Sequence, residues 1–263
     1  MSKPKIIGSY RVKNEERFLE KSLKSVMDIC SEIVILDDGS SDKTVKICSS
    51  FDKVVDIQTQ SNLPLDEVRD RNFLLQMSLK RKPDYILSID GDEIFMPNSA
   101  EILFEELEIL YTENNIFEFQ FLNLWDKPNQ IRFDGAHSNI WQKRLFKLKD
   151  QPKNLKINET GNPGNFHCGS IPNNTVDFES PIRSNVKIFH VGKFEPNLRQ
   201  KKYEWYTGID PNNPLTDNYQ HLISSKGKFS GKHGYEFKII PNEFVPSLIQ
   251  NKVKLNSNNL KST

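Results

Sequence analysis

The chain is poor in cysteine, with only Cys30, Cys48 and Cys168 in 263 residues and no C-x-x-C spacing. An odd count without paired spacing argues against a disulfide framework and against a thiolate zinc site. A reducing compartment fits. Long apolar runs are also missing: no stretch of about 18 apolar residues occurs, so no membrane-spanning helix is expected. The opening MSKPKIIGSY has charge but no apolar core of the signal-peptide kind, and none is expected. The N-x-[ST] matches at Asn158 and Asn173 carry little weight without such a signal. Nor is there an excess of either charge, since 36 Lys plus Arg stand against 35 Asp plus Glu. Nucleic acid is therefore not expected as a partner, and any anionic ligand must be met by a few placed cations. The segment GSYRVKNEE, after the first apolar run, lacks the Gly-rich phosphate loop that a nucleotidyltransferase would favour.

What is present is the composition of a soluble globular chain, 36% hydrophobic and 27% charged. The first 110 residues alternate strand and helix patterns. Strands are expected at Lys5–Tyr10, Glu32–Leu36, Lys53–Ile57 and Asp84–Ile89. Helices are expected at Glu15–Cys30, with Asn14 as N-cap, from near Asp42, at Leu65–Lys80 and at Pro97–Tyr111. Such alternation implies parallel pairing with right-handed crossovers. Beyond residue 112 the pattern becomes mixed, with strands at Asn115–Trp125, Ile140–Leu148 and Asn185–His190, a helix at Glu195–Tyr206 and a polar final stretch.

In open parallel sheets, ligands lie beyond the carboxyl ends of the strands. Here those ends are polar: Tyr10-Arg11, Asp37-Asp38 and Asp90-Gly91-Asp92. Two carboxylates at i and i+2 repel unless a cation or donors offset them. The segment reads either as an acidic turn or as an oxygen-rich seat for Mg²⁺ or Mn²⁺. Asp38 is either a turn and cap residue or an acceptor for base and ribose groups. Arg71 is either a solvated helix charge or a fork for a carboxylate or phosphate. His190, at a strand end, is a packed residue or a ligand that tilts the metal toward Mn²⁺. Arg199, Lys201 and Lys202 are a solvated helix face or diphosphate contacts.

Taken in order, RVKNEERFLEKSLKSV, EIVILDDGSSDKT, Arg71-Asn72 and DYILSIDGDE resemble the family 2 glycosyltransferases. The downstream pieces WDKPNQIRFDG, KRLFKL, FHCGSIP and KIFHVGKFEPNLRQKKYEWY are similar to that family more loosely. The resemblance implies an α/β fold of the GT-A type, with a Rossmann-like, mostly parallel central sheet, helices on both faces and a mixed α+β acceptor half. It implies a nucleotide-sugar-binding half over residues 1–112, an acceptor and catalytic half over 113–206, and a C-terminal helical extension and polar tail over 207–263.

The activity implied is metal-dependent inverting transfer from a nucleotide sugar, a UDP-hexose above others, to a glycan, lipid or protein acceptor; the alternative is a silent nucleotide- or glycan-binding scaffold. By the same resemblance Tyr10, Arg11, Val12 and Glu15 border the base, and Asp38 binds base or ribose. Arg71 supports the base or diphosphate region, and Gly91 is the middle residue of the DxD-type motif. Asp90, Asp92 and His190 hold the metal, Mn²⁺ or Mg²⁺, with Asp92 the main carboxylate. From the basic helix face rather than from the resemblance, Lys202 is the expected diphosphate contact. Where many relatives carry an acidic residue beside the histidine of FHCG, this chain has Cys168, which at neutral pH serves as a base only with a depressed pKa. Asp134 is the favoured general base, with Glu93, Asp177 and Glu179 as the other candidates. A cytoplasmic location, free or peripheral to a membrane, is expected.

Overall fold

Apolar residues two apart in the strands and three or four apart in the helices give every element of the first half a face to bury. A computed structural model describes residues 3–61, 63–109, 116–176, 180–211, 213, 217–225 and 234–250. The elements run β1 (Ile6–Val12), α1 (Leu19–Val26), β2 (Glu32–Asp37), α2 (Thr44–Cys48), β3 (Val54–Thr59), α3 (Glu67–Lys80), β4 (Tyr85–Asp90), β5 (Glu93–Phe95) and α4 (Ser99–Ile109). They continue with β6 (Ile116–Trp125), β7 (Lys127–Arg132), β8 (Ile140–Lys147), β9 (Ile182–His190), α5 (Pro196–Ile209), β10 (Phe237–Ile239) and α6 (Ser247–Gln250).

The strands form one sheet in the order β10-β7-β6-β8-β4-β1-β2-β3. Strands β4, β1, β2 and β3 are parallel, as the alternation predicts. Strand β8 joins β4 antiparallel and passes the sheet on to β6 and β7. Strand β9 runs parallel to β6 and takes the three-residue β5 antiparallel.

Both faces of the parallel part are covered, which is why its strands read as continuous apolar runs. On one face Ile6 and Tyr10 pack with Leu19, Leu23 and Val26 of α1 and with Leu103 and Leu107 of α4. On the other, Ile7, Val34 and Leu36 pack with Leu74 and Met77 of α3. Each such side chain contributes about 1.5–3 kcal/mol by leaving water. The fold is the α/β, GT-A-like arrangement that the sequence implies, its parallel part extended by a mixed half.

Three local differences have physical causes. The helix expected from Glu15 begins at Leu19. It follows a turn in which the Glu15 carbonyl accepts from the Phe18 and Leu19 amides at 3.1 and 3.0 Å, and the amides of residues 14–16 are anchored on side chains. Those of Asn14, Glu15 and Glu16 donate to the side chains of Ser40, Thr44 and Asp42 at 2.8, 2.8 and 3.1 Å. Asn14, at φ 53°, caps no helix; its Oδ1 accepts from the Ser41 amide at 2.8 Å. The short strands β5, β7 and β10 show no periodicity in three to six residues and are legible only through their partners. Where a helical extension is expected after residue 206, α5 runs on to Ile209. It is followed by 3₁₀ turns at Asp217–Leu222 and Asn242–Phe244, strand β10 and the four-residue α6. Leu110, Tyr111, Asn115 and the polar stretch 251–263 lie outside the described residues.

Candidate active site

Parallel register brings three strand ends together. Arg11 stands opposite Leu36 on one side and Asp90 on the other, with Asp37 one residue further along β2. Strand alternation then sorts the side chains. Tyr10 and Val12 turn into the core, at 0% and 2% exposure; the Tyr10 hydroxyl pairs with Ser22 Oγ at 3.1 Å. Neither side chain faces the strand-end cleft, contrary to the sequence expectation, because alternation gives that face to Arg11. Its guanidinium donates to Asp38 Oδ2 at 3.0 Å and to Asp70 Oδ2 at 2.9 Å. Gln60 Nε2 bridges the same two carboxylates, at 3.2 Å to Asp38 and 2.8 Å to Asp70. Asp70 itself is fully buried and braced by Arg69 at 2.6 Å. Asp38 is thus fixed by neighbours rather than free in solvent, and it keeps acceptor capacity for a hydroxyl or ring N–H.

The acidic turn after β4 is compensated residue by residue. Arg71 donates to Asp90 Oδ1 at 2.8 Å and to Ser88 Oγ at 3.1 Å. Arg144 of β8 reaches Asp90 Oδ2 at 3.1 Å and also bonds Glu93 and Ser170. Burial pushes the Asp90 carboxyl up, but Arg71 and Arg144 outweigh it and hold it well below the usual carboxylate range. For Glu93 the balance goes the other way. Burial, with Asp90 and Asp92 nearby, raises it well above its ordinary value despite Arg144. Glu15 packs across the turn, and burial followed by the Asp92 charge pushes it up to about 8. A Cβ on Gly91 would lie 2.8 Å from Glu15 Cγ, so the glycine makes room for Glu15.

Asp92 and His190 meet through backbone pairing. In the antiparallel β5·β9 ladder Glu93 stands opposite His190, and the Val191 amide donates to the Asp92 carbonyl at 2.9 Å. His190 Nε2 consequently lies 3.3 Å from Asp92 Oδ2, while its Nδ1 pairs with Asn123 Oδ1 at 2.9 Å. Burial lowers the His190 pKa, although Asp92 pulls upward, so the ring is neutral at pH 7 and offers a lone pair. On the same oxygen of Asp92, Lys202 of α5 places its Nζ at 2.7 Å. Burial raises the Asp92 carboxyl; Lys202 above all overcomes that and holds it well below its ordinary value. Past the end of β9 the chain turns at Gly192, where a Cβ would fall 1.9 Å from Asp92 Oδ2 and 2.4 Å from Lys202 Nζ.

This pair fits a divalent cation. Two ligand bonds of about 2.1 Å at a right angle put their donor atoms about 3 Å apart, close to the 3.3 Å found. The Asn123 contact orients the imidazole in the manner of an outer-shell partner. Among the described residues no set of three or more His, Cys, Asp and Glu converges on one point. The other coordination positions would fall to phosphate oxygens and water, the habit of Mg²⁺ and Mn²⁺. Asp90, expected as a ligand, has both oxygens engaged by arginines.

Other expected residues are placed differently. Asp134 has Arg132 on both carboxylate oxygens, at 2.7 and 2.8 Å, and both side chains are fully buried. A carboxylate so enclosed has no path to an acceptor hydroxyl. Arg199 is tied to the carbonyls of Lys193 and Phe194 and to Asp126, so the basic face of α5 reduces at this site to Lys202. The Cys168 thiol feels Arg71, Glu67 and Asp90, but burial is the largest influence and pushes it up to about 11. Asp177 and Glu179 lie outside the described residues. The sequence reading passed over Arg144, Asp70, Asn123 and Gly192. Arg144 lies within the quoted KRLFKL, yet nothing in that string says that β8 borders β4.

Glycosyl transferase family 2 matches residues 11–161 of the chain. An uncharacterized glycosyltransferase of Rickettsia bellii is 27% identical over 210 residues, covering 78% of this chain and 65% of the relative. The prophage-derived glycosyltransferase SunS of Bacillus subtilis is 26% identical over 222 residues, 80% of this chain and 47% of SunS. The chain thus spans roughly half to two thirds of the length of these relatives. Among solved structures, S. aureus TarS 1-349 in complex with UDP-GlcNAc covers 83% of this chain and 70% of that one, at 11% identity and a TM-score of 0.43.

Proposed function

The chain belongs to glycosyl transferase family 2, and from that premise we propose that it transfers a sugar from a nucleotide-sugar donor, a UDP-hexose, to a glycan, lipid or protein acceptor with inversion at the anomeric carbon. The observation that carries this reading is the approach of His190 to Asp92, 3.3 Å apart at the sheet edge where Arg11 and Asp38 also end. Residues 1–112 would form the donor half, 113–206 the acceptor half and 207–263 a C-terminal extension and polar tail.

Each residue then has a chemical task. Asp38, held by Arg11 and Gln60, accepts from the base or ribose. Arg71 and Arg144 neutralise Asp90 and keep the turn rigid beneath the ribose. Asp92 and His190 would hold Mn²⁺ or Mg²⁺, which when bound supplies Lewis-acid stabilisation of the departing diphosphate. Lys202 adds a positive charge aimed at the same leaving group. A base must take the acceptor hydroxyl proton, and Asp134 is enclosed by Arg132. Glu15 and Glu67 are carboxyls of this site that burial raises above the ordinary value, which suits a group working near neutral pH. One feature favours the scaffold reading instead: the family resemblance implies an acid where Cys168 stands, and burial pushes this thiol up to about 11.

Thermal denaturation with Mn²⁺ and UDP tests the site. Saturation at about a hundredfold over Kd stabilises by about 2.7 kcal/mol, which for a chain of this size raises Tm by roughly 5–10 °C. The wild type should show that rise and Asp92→Asn little of it; equal shifts would remove Asp92 from the site. A panel of nucleotide sugars then separates the two readings. Slow donor hydrolysis supports the transferase, whereas nucleotide binding without turnover of any donor supports the scaffold.

A further inference from the structure

The Asp92 oxygen that faces His190 already has a cation on it. Lys202 Nζ sits 2.7 Å from Oδ2, with His190 Nε2 3.3 Å from the same atom. The ammonium also lies against Gly192, in the space that the missing side chain leaves open, since a Cβ there would come within 2.4 Å of Nζ. This is a built contact: Asp92 is 5% exposed, and the Lys202 stem descends from α5 onto it. A divalent ion held by Oδ2 and Nε2 would be crowded against the ammonium, and two like charges on one oxygen repel. Lys202 has four rotatable carbons and three donors, so it can exchange partners without movement of α5.

We propose that Lys202 is a tethered counter-cation which occupies the metal seat until the donor arrives, then gives up Asp92 to the ion and takes a phosphate oxygen instead. This rests on the reading of Asp92 and His190 as the metal pair. Without nucleotide, an incoming ion must displace the ammonium from Asp92 Oδ2 with no phosphate oxygen to replace that partner. With a diphosphate present, the displaced ammonium gains one. Ion and nucleotide are therefore coupled through Lys202: each strengthens the binding of the other by the same factor, as linkage requires. No covalent bond of the chain is made or broken; the Lys202–Asp92 pair gives way to an Asp92–ion contact and a Lys202–phosphate contact. The device keeps the carboxylate neutralised at every stage. It also makes bare metal binding weak, so the site fills only with ion and donor together.

The test is Mn²⁺ binding followed by electron paramagnetic resonance of the free ion, with and without UDP, on wild type, Lys202→Met and Lys202→Gln. In the absence of UDP both variants should bind Mn²⁺ at least tenfold more tightly than wild type. UDP should tighten Mn²⁺ binding by wild type at least tenfold and by Lys202→Met much less. Mn²⁺ affinity without UDP that is no higher in the variants, including the case in which no protein binds Mn²⁺, overturns the proposal. Lys202→Gln keeps a hydrogen-bond donor for Asp92, so it covers the case in which Lys202→Met fails to fold. Calorimetric titration of UDP into the same proteins reads the donor assignment separately. Absence of UDP binding throughout would defeat the donor reading, while the Mn²⁺-only arm still decides the role of Lys202.

Discussion

Replacing Arg144 by Met is the sharpest test of how the acidic turn is held. Arg144 is 5% exposed and bonds Asp90, Glu93 and Ser170, with its guanidinium 5.1 Å from the centre of the Phe121 ring. Methionine keeps the stem's packing and removes the charge. Breaking a buried pair by deleting one partner costs about 3–5 kcal/mol. Asp90 retains Arg71 at 2.8 Å, so the loss at pH 7 should lie near the lower end, about 3 kcal/mol. For a chain of this size that is roughly 6–12 °C in Tm.

The sign with pH follows from Glu93. Its folded pKa is raised and rises further without Arg144, whereas the unfolded value is about 4.3. The folded state therefore binds more protons above that value, and stability falls as pH rises. The penalty of Arg144→Met should be smaller at pH 5 than at pH 8. Adding Glu93→Gln should recover much of it, because the buried charge is gone. Urea denaturation of the two single variants and the double variant at both pH values gives the cycle. A loss below about 1 kcal/mol, a pH-independent loss, or additivity of the two substitutions would refute the electrostatic account.

Two further outcomes follow from the same site. Glu15, pushed up to about 8, is neutral in the folded protein at pH 7 and ionised when unfolded; stability should therefore decline between about pH 4.5 and pH 8, and Glu15→Gln should flatten that decline in Tm measured from pH 6 to 9. Gly192→Ala must push Asp92 and Lys202 off their contact, since the new Cβ would lie 1.9 Å from Oδ2; a loss of about 1–3 kcal/mol is expected together with loss of the UDP-plus-Mn²⁺ thermal shift, and wild-type behaviour in both would show that the contact tolerates a side chain.

Much of the first half is legible in sequence because its elements announce themselves locally. EIVILDD is a buried strand that must end at its charges, and Asp66 caps α3 by accepting the Arg69 amide at 3.0 Å. Asp38, Asp92 and His190 are legible as candidates because strand ends are where ligands sit. What escaped is what depends on register between distant segments. Tyr10 and Arg11 are adjacent in sequence yet face opposite ways, and only the pairing of β1 says which is buried. Arg144 reaches Asp90 because β8 lies beside β4. Asp134 in RFDG looks like a catalytic carboxylate until Arg132, two residues before it, closes on both oxygens. Local composition cannot separate a working acid from a buried ion pair.

Strand β9 enters between β6 and β5, and with it come His190 and, one helix later, Lys202. During synthesis the ribosome therefore releases Asp90, Asp92 and Glu93 long before their counter-charges on β8, β9 and α5 exist. A nascent chain halted short of α5 would hold Arg71 and Arg144 for Asp90 and Glu93 but would leave Asp92 without Lys202. Asp92 is then the last carboxylate of the turn to gain its counter-charge, and the arrival of α5 is what secures it.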